Sequence, residues 1–318
     1  MYDVCCLGIL VADVSTVPVN KLPNVGELSI VCNINLGLGG CAANTAIGLQ
    51  KIGLQTAVIG KVGKDSFGTF IIKTLSENGV DTSGVKISTI TPSSSAIVLI
   101  NDNGERSFLH CRGTNGDFTD QDVTFSKILE SKILFIAGSL LMPEMDGEPT
   151  ARILKHAKEN GVYTALDTAW DASGRWMESI ASCLPYLDLF IPSIDEARML
   201  SGESDVSEIA DVFLRHGVGL CVIKMGKTGC YVKENTSEGF YVPSYERIKP
   251  KDTTGAGDSF VAGFLTGLSK GWDIRSCAEF ANAVGAHCIS QLGTTTGIRP
   301  LHEILHFIEE YNKGNDII

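Results

Sequence analysis

The sequence predicts an α/β fold, a three-layer α/β/α sandwich with a mostly parallel central sheet and a small β-sheet lid. Three observations predict it. Short apolar runs alternate with amphipathic stretches, several of these stretches end at glycine, and two segments interrupt the alternation. Strand and helix in alternation indicate a parallel sheet that is covered by helices on both faces. A chain of 318 residues is long enough for one large domain with an appendage.

The apolar runs predict buried strands because they are compact and apolar. They lie at residues 4–10, 56–59, 133–137, 163–167, 187–191 and 220–224. The stretches with helical spacing lie at residues 41–52, 66–78, 148–160, 193–200 and 206–216. Four of them are followed by a glycine suited to a helix C-terminus, namely Gly53, Gly79, Gly161 and Gly217. Later helices are predicted at residues 257–268, 274–291 and 301–311.

The two interrupting segments predict the lid. Residues 29–35, 96–101 and 106–111 have the composition of ordinary strands, and a turn-forming cluster suited to a hairpin joins the last two. We expect them to form a separate sheet within residues of about 14–36 and 88–115 of a single domain, 1–318. Ile30, Cys32 and Ile34 alternate with smaller or polar residues and predict one apolar face. An exposed apolar face and open edges favour a homodimer in which two lids pair.

Composition disfavours several classes of protein. The net charge of −11 argues against nucleic-acid binding, which needs clustered Lys and Arg. No run approaches the ~20 apolar residues that span a bilayer, and the first residues lack the basic region of a secretory signal. We therefore expect a cytoplasmic protein with no membrane or nucleic-acid partner. The 10 cysteines form no C-x-x-C pair and no zinc-like spacing with histidine, which disfavours a disulfide framework or structural zinc.

The strongest motif is Asp-Thr-Thr-Gly-Ala-Gly-Asp-Ser-Phe at residues 252–260. The small residues Gly255, Ala256 and Gly257 allow backbone N–H groups to converge at a helix start, where the helix dipole favours an anion. Asp258 follows directly. An isolated Asp at a helix start is usually structural, but phosphoryl transfer to an alcohol needs a base beside a phosphate site. The motif therefore predicts a kinase with Asp258 as its general base.

Two other nucleotide-binding patterns are not fulfilled. Gly37, Gly39 and Ala42 have the spacing of a dinucleotide-binding fingerprint, which needs an acidic residue at the end of the next strand. Residues 58–61, Val-Ile-Gly-Lys, provide no such residue. No complete P-loop sequence, G-x-x-x-x-G-K-[ST], occurs in the chain either. A dehydrogenase and a P-loop enzyme are both disfavoured.

Three further segments accompany residues 252–260, namely 39–46 with 60–68, 192–197 and 222–229. In these four segments and in their order, the chain resembles the ribokinase-like (PfkB) family of carbohydrate kinases. The resemblance extends from residue 4 to about residue 300. It implies transfer of phosphate from ATP to a hydroxyl of a small sugar, with Mg²⁺, lid closure and frequent pairing of lids in dimers. In some members it also implies a monovalent cation such as K⁺.

The same resemblance implies roles at individual positions. Asp258 matches the general base, and the backbone of Gly255, Ala256 and Gly257 matches the anion hole. The positions that match substrate-binding residues are Asp13, Gly39, Gly40, Asn44 and the lid residue Arg112. The positions that match nucleotide-binding residues are Lys224, Gly226, Thr254, Gly255, Gly257 and Asn282. The positions that match metal-binding residues are Glu196, for Mg²⁺ through water, and Asp252 with Thr254, for a monovalent cation.

Structural roles stay open for some of these residues. Asp13 could end the first strand as a turn residue, although ligands bind at the carboxyl ends of parallel strands. Glu196 suits the first turn of a helix in any case, and Lys224 could be a solvated strand end. Asn44 is a poor helix former inside a predicted helix, which favours a ligand role.

Departures from the family pattern bear on the substrate. Ser193 stands where the family usually has Asn, while Val11 and Cys41 replace a polar residue and a lysine of ribokinase. Residues 137–142 lack the carboxylate that ribokinase places on its sugar. Ribose is therefore disfavoured against a keto-sugar such as fructose or a sugar acid such as 2-keto-3-deoxygluconate. The alternatives are an adenosine-type nucleoside kinase, for which no aromatic slot is evident, and a non-catalytic sugar-binding regulator, against which Asp258 counts.

Overall fold

The computed structural model of the protein describes residues 1–103, 105–235 and 237–315. Within these ranges the strands are β1 (Tyr2–Gly8), β2 (Val11–Val17), β3 (Asn33–Gly39), β4 (Thr56–Gly63), β5 (Asp81–Ser88), β6 (Ser95–Ile100), β7 (Arg106–Cys111), β8 (Ser131–Ser139), β9 (Tyr163–Thr168), β10 (Leu189–Phe190), β11 (Leu220–Lys224), β12 (Cys230–Glu234) and β13 (Phe240–Val242). The α-helices are α1 (Cys41–Ile52), α2 (Ser66–Glu77), α3 (Phe125–Leu129), α4 (Glu148–Glu159), α5 (Met177–Ile180), α6 (Ile194–Ser201), α7 (Val206–Arg215), α8 (Ala256–Ser269), α9 (Ile274–Cys288) and α10 (Leu301–Asn315).

The larger sheet is mostly parallel, as predicted. Its nine described strands are ordered β13-β12-β11-β10-β9-β8-β1-β4-β5. Only the β11–β12 and β12–β13 pairs are antiparallel, and the other neighbouring strands are parallel. Parallel pairing brings the carboxyl ends of most strands to one edge of the sheet, where ligands of such folds bind.

Two hydrophobic cores cover the two faces of this sheet. In β1, Val4 and Cys6 belong to the core that contains α1, α8 and α9, whereas Cys5 and Leu7 belong to the core that contains α4 and α7. All four side chains are fully buried. Because successive side chains of a strand point to opposite faces, this alternation gives the predicted three layers. Among the described residues, no helix has the length and apolarity needed to cross a membrane.

The predicted helices are all present, with ends that differ by a few residues. The glycines predicted to follow four of them all have positive φ, with values of 115° at Gly53, 82° at Gly79, 78° at Gly161 and 98° at Gly217. Glycine is favoured there because a side chain strains this left-handed conformation.

The smaller sheet, which we call the lid, has the strand order β3-β2-β6-β7. The strand predicted at residues 29–35 is present in the lid but begins and ends four residues later: β3 is Asn33–Gly39, and the residues just before it are outside any strand. Ile30 is 91% exposed there, so the predicted alternating face does not exist as such. The prediction also missed β2, which places Asp13 inside a lid strand and not at the end of the first strand. That the whole chain forms one domain with the lid stays a prediction.

Candidate active site

The first turn of α8 forms the predicted anion site, residues 255–257, which we call the phosphate cradle. Gly255 precedes the helix with φ of 77°, and a Cβ atom at this position would overlap the carbonyl oxygen of Thr294. The first N–H groups of a helix have no carbonyl of their own helix to bind, and the helix dipole adds positive charge there. The Ala256 N–H reaches the Thr253 carbonyl at 3.3 Å. Such a turn is suited to an anionic ligand.

Asp258 lies in the same first turn of α8, and its carboxylate contacts α1. Asn44 donates a hydrogen bond from Nδ2 to Asp258 Oδ2 at 2.8 Å. Burial raises the pKa of Asp258. The hydrogen bond from Asn44, the positive charge of Lys224 and a hydrogen bond from Cys41 oppose this rise. A carboxylate with a raised pKa is a stronger proton acceptor than an exposed one, provided that it is ionised at the working pH.

Asn44 offers a second polar group to this space. Its Oδ1 atom is buried and has no hydrogen-bond partner in the described part of the chain. A buried acceptor without a donor costs free energy, so a ligand hydroxyl that donates to Oδ1 would recover it. The start of α1 is fixed nearby by Gly40, whose φ is 93° and where a Cβ atom would overlap the Ile9 carbonyl.

Asp13 projects from lid strand β2 next to Gly39 of β3. A Cβ atom at Gly39 would overlap the Asp13 carboxylate, so glycine leaves the room that the carboxylate occupies. Within the described residues, no hydrogen bond reaches this carboxylate. Burial raises its pKa to about 6. Because an ionised carboxylate accepts hydrogen bonds only, donors from a ligand such as sugar hydroxyls suit it.

A buried ion pair joins the carboxyl ends of β9 and β11. Lys224 Nζ contacts Asp167 Oδ2, and the two side chains are 12% and 5% exposed. Burial alone would lower the pKa of Lys224, but Asp167 and Glu196 outweigh it and raise the pKa. Burial raises the pKa of Asp167 despite the charge of Lys224. Lys224 Nζ would lie 3.7 Å from a Cβ atom on Gly257, which places the cation beside the phosphate cradle.

Glu196 is part of a capping box at the start of α6. Its Oε2 atom accepts hydrogen bonds from the Ser193 N–H at 3.1 Å and from Thr168 Oγ1 at 3.2 Å. Ser193 Oγ in turn accepts from the Glu196 N–H at 3.4 Å. Glu196 therefore has the predicted structural role at the start of α6, and its second carboxylate oxygen accepts no hydrogen bond from the described residues. In the described ranges, no three His, Cys, Asp or Glu side chains are grouped to hold a metal ion.

Comparison with known proteins assigns the chain to a family. Residues 1–300 match the family model described as pfkB family carbohydrate kinase. The chain belongs to the pfkB family of carbohydrate kinases. It is therefore a phosphotransferase that acts on an alcohol group, as predicted from the motif at residues 252–260 and the resemblance.

Relatives of this carbohydrate kinase act on several sugars according to their names. It is 32% identical to "Probable fructokinase-5" of Arabidopsis thaliana over 270 residues, which cover 80% of this chain and 83% of the relative. It is 27% identical to 2-dehydro-3-deoxygluconokinase of Bacillus subtilis over 292 residues, 89% of this chain and 90% of the relative. The structure of Arabidopsis thaliana ribokinase complexed with ribose and ATP superposes with a TM-score of 0.85 at 22% identity, covering 97% and 99% of the two chains. The last comparison confirms the fold.

Three predicted site residues of the kinase do not join this cluster directly. Asn282 is 4% exposed and donates its amide hydrogens to the carbonyls of Val242 and Pro243, at 3.1 and 3.2 Å. Through these two bonds Asn282 holds the last residue of β13 and the residue after it. Gly226 is exposed just after β11, with φ of 58°. Arg112 is also exposed, and within the described residues its guanidinium forms no ion pair. The roles of all three stay predictions.

Asp252 lies in the turn that precedes the phosphate cradle and contacts the lid. Its Oδ1 atom accepts hydrogen bonds from Arg106 at 2.5 Å and from the Thr254 N–H at 2.8 Å. Its Oδ2 atom accepts from the Gly293 N–H at 3.0 Å. The hydroxyl oxygen of Thr254 is buried without a partner in the described part of the chain. Both oxygens of Asp252 are thus engaged within the protein.

Sequence reasoning missed two charged residues at this site. Asp167 ends a predicted strand, and an acidic residue at the carboxyl end of a parallel strand was a usable signal. Arg106 begins a predicted lid strand, and its partner Asp252 lies 146 positions further along the chain. No local pattern indicates a contact at that separation.

Proposed function

We propose that this kinase transfers the γ-phosphate of ATP to a hydroxyl of a small, non-phosphorylated sugar. The favoured substrates are a keto-sugar such as fructose or a sugar acid such as 2-keto-3-deoxygluconate. The observation that carries the proposal is that Asp258, with its raised pKa, shares the first turn of α8 with the phosphate cradle and accepts a hydrogen bond from Asn44. Within the described residues, Asn44 Oδ1 and the Asp13 carboxylate both lack donors. The names of the fructokinase and 2-dehydro-3-deoxygluconokinase relatives support the substrate class.

The proposed chemistry is positioning combined with electrostatic stabilisation. Asp258 accepts the proton of the attacking hydroxyl, while the N–H groups of residues 255–257 and the ammonium of Lys224 face the charge of the transferred phosphoryl group. Lys224 suits this role because Asp167 keeps its cation in place inside the protein. Closure of the lid excludes water, which would otherwise compete as the acceptor.

The proposed sugar site reads neighbouring hydroxyls. A carboxylate accepts from two hydroxyls, and an amide oxygen accepts from another. Asp13 and Asn44 Oδ1 both lack donors within the described residues, so hydroxyls of a polyol would satisfy them. A site of this kind rejects analogues that lack the hydroxyl, by as much as ~10⁴-fold. Arg112 would add preference for a carboxylate or keto oxygen if lid closure carries it inward.

Magnesium belongs to the proposal through the nucleotide. When bound, Mg²⁺ neutralises charge on the phosphate oxygens of ATP. Glu196 fits an indirect role because one of its carboxylate oxygens is held by Ser193 and Thr168 and the other is left for waters of the ion. This agrees with the preference of Mg²⁺ for keeping several waters.

A monovalent cation fits the residues present less well. The resemblance implies K⁺ at Asp252 and Thr254 in some members. Here the Asp252 carboxylate already accepts three hydrogen bonds, one of them from the guanidinium of Arg106. We assign no step of the reaction to K⁺.

We also propose a homodimer through the lid, based on an apolar row across its four strands and not on the face predicted at residues 29–35. Leu36, Val14, Ile97 and Leu109 are aligned across the four lid strands and therefore lie on one face. Leu36, Ile97 and Leu109 are 40%, 44% and 55% exposed. Burying this row against a second lid would remove apolar surface from water. Light scattering should show a dimer at roughly tens of micromolar, and Ile97→Lys should shift it toward the monomer.

Ile90→Lys is the matched control for Ile97→Lys in light scattering, because Ile90 is 92% exposed and lies outside the lid strands. If the wild type is monomeric, or if the Ile97→Lys variant is as dimeric as the control, the proposed lid dimer is contradicted.

The test of the function is release of ADP with a panel of fructose, 2-keto-3-deoxygluconate, ribose and adenosine. We expect turnover with one of the first two. Asp258→Asn should lower it by roughly 10²–10⁴-fold, the usual loss without a general base, with little change in nucleotide affinity. Asp195→Asn, on the exposed side of α6, is the control. Normal turnover in Asp258→Asn would show that Asp258 is not the general base. Turnover with adenosine alone would identify a nucleoside kinase.

A further inference from the structure

We infer that Arg106 acts as a built-in cation of this kinase: its guanidinium neutralises Asp252 and positions the phosphate cradle in place of a monovalent metal ion. The inference rests on the proposed function in one respect, namely that residues 255–257 hold phosphate. It assigns to Arg106 a positioning role, since Arg106 acts through Asp252 and not on the substrate.

The geometry of the pair supports this role. Arg106 and Asp252 side chains are 24% and 6% exposed, and Arg106 NH2 lies 2.5 Å from Asp252 Oδ1. A carboxylate as buried as that of Asp252 needs a compensating charge, because an unpaired buried charge is strongly unfavourable. Arg106 supplies it, and a guanidinium is always protonated and matches the shape of a carboxylate. A metal cation added beside it would be repelled by the charge already present.

Asp252 transmits this charge to the cradle through the backbone. It accepts hydrogen bonds from the N–H of Thr254, in the turn that leads into α8, and from the N–H of Gly293 in a second loop. The next residue of that loop, Thr294, packs with its carbonyl against Gly255. The Asp252 carboxylate therefore joins two segments on either side of the cradle, and its displacement would loosen both.

The pair also connects the cradle to the lid. Arg106 is the first residue of β7, at the edge of the lid sheet. Arg106 lies on the same face of β7 as His110, four residues further on. His110 pairs with Ala96 of β6, and Ala96 pairs with Asp13 of β2, so these side chains share that face. Arg106 and Asp13 therefore share the face of the lid that looks toward the site. A second contact, from Thr294 Oγ1 to the Leu38 carbonyl at 3.3 Å, joins the same loop to β3.

The pKa of Asp252 is in keeping with this geometry. Burial raises it, but the N–H groups of Gly293 and Thr254 and the guanidinium of Arg106 outweigh burial, and the pKa stays below its usual value. The carboxylate is thus held in its charged form by donors that belong to the protein.

The first arm of the test measures the cation requirement of the wild type. Turnover of the sugar that the panel identifies is compared in chloride salts of K⁺, Na⁺ and tetramethylammonium at equal ionic strength. We expect no preference for K⁺. A wild type that is active in K⁺ and inactive in tetramethylammonium overturns the inference without any variant.

The second arm uses Arg106→Gln. We expect kcat to fall by about 10–100-fold, the scale of loss for a misplaced catalytic geometry, and to recover in K⁺ or in millimolar guanidinium but not in tetramethylammonium. The melting temperature of the variant without substrate should rise in K⁺, whereas that of the wild type should not. Arg106→Lys, which keeps the charge, should retain more activity than Arg106→Gln.

The control is Arg152→Gln, which removes an Arg–Asp pair of the same 2.5 Å distance on the surface, where Arg152 is 60% exposed. It should keep wild-type activity and cation behaviour. An Arg106→Gln variant that matches this control overturns the inference, as does one that is inactive and indifferent to K⁺ and guanidinium. If no sugar is phosphorylated, the proposed function fails, while the melting curves in K⁺ still decide the role of Arg106.

Discussion

Replacing Asp13 by Asn should stabilise the fold while it impairs use of the sugar. The Asp13 carboxylate is largely buried beside Gly39 and receives no hydrogen bond from the described residues, and burial raises its pKa to about 6. A carboxyl whose pKa is raised by folding binds its proton more tightly in the folded state. Stability is therefore lost as pH rises from the unfolded pKa through the folded one, between about 4 and 6. An amide cannot ionise, so Asp13→Asn avoids this loss.

The magnitude follows from the shift in pKa. The pKa rises from 3.8 to about 6, roughly two units at about 1.4 kcal/mol each, which gives about 3 kcal/mol above pH 6. This is an upper value, because the buried amide hydrogens of Asn need partners of their own. At roughly 2 °C per kcal/mol for a chain of this size, the melting temperature should rise by about 5 °C at pH 8 and hardly at all at pH 4.

Thermal unfolding of wild type and Asp13→Asn at pH 4, 6 and 8 measures this difference. Asp195→Asn is the matched control, because its carboxylate is 75% exposed and its replacement should change stability little at any pH. Steady-state kinetics should show a raised sugar KM for Asp13→Asn and an unchanged KM for ATP. A gain in melting temperature that is equal at pH 4 and pH 8, or no gain at either, would refute the reasoning from burial.

Three further predictions follow from the polar contacts of the site. Asn44→Ala removes a hydrogen bond that stabilises the charged form of Asp258, so the pKa of Asp258 should rise and the acid limb of the kcat profile should move to higher pH; a profile identical to wild type would contradict this. Lys224→Met leaves Asp167 buried without its partner and should lower the unfolding free energy by about 3–5 kcal/mol in denaturant titrations. Adding Asp167→Leu should restore the unfolding free energy but not kcat. Recovery of both would show that the pair has a structural role only. Arg112→Ala should reduce the ratio of kcat/KM between a sugar acid and its neutral aldose. An unchanged ratio would contradict the proposal of a sugar acid as substrate.

The fold could be predicted from the sequence where one residue pattern has one structural meaning. Compact apolar runs followed by helical spacing predicted six of the parallel strands and the helices between them. β5 was missed because Asp81–Ser88 is an edge strand with mostly polar residues, and such strands lack the apolar signature.

The division between β1 and β2 shows a different limit. Residues 4–10 form one apolar run, yet the chain leaves the main sheet at Gly8, which has φ of 154° and where a Cβ atom would overlap the Ala137 carbonyl of β8. The bend depends on a contact with a strand more than a hundred residues away. Composition alone therefore placed Asp13 on the wrong sheet.

The candidate site could be predicted as far as its residues lie in contiguous motifs. Residues 255–258 bring the cradle and Asp258 together within one helical turn, so the motif itself describes their geometry. The partner of Asp258 lies 214 positions away at Asn44, and the partner of Asp252, in the turn before α8, is Arg106 of the lid sheet. Contacts of this kind depend on the packing of two helices or of a loop against a sheet, which hydrophobic periodicity describes only in outline.

The distribution of unsatisfied groups suggests what selects the substrate. In the described part of the chain, Asp13 and Asn44 Oδ1 lack donors, whereas Lys224 and Asp252 are paired with opposite charges. The charged side chains at the phosphate end of the site are thus paired within the protein before the nucleotide binds. The sugar end is costly to keep empty, and a ligand with hydroxyls in the right places recovers that cost. Sugars should therefore raise the melting temperature in proportion to how well they satisfy these two acceptors, so that binding to the folded state and selectivity follow the same order.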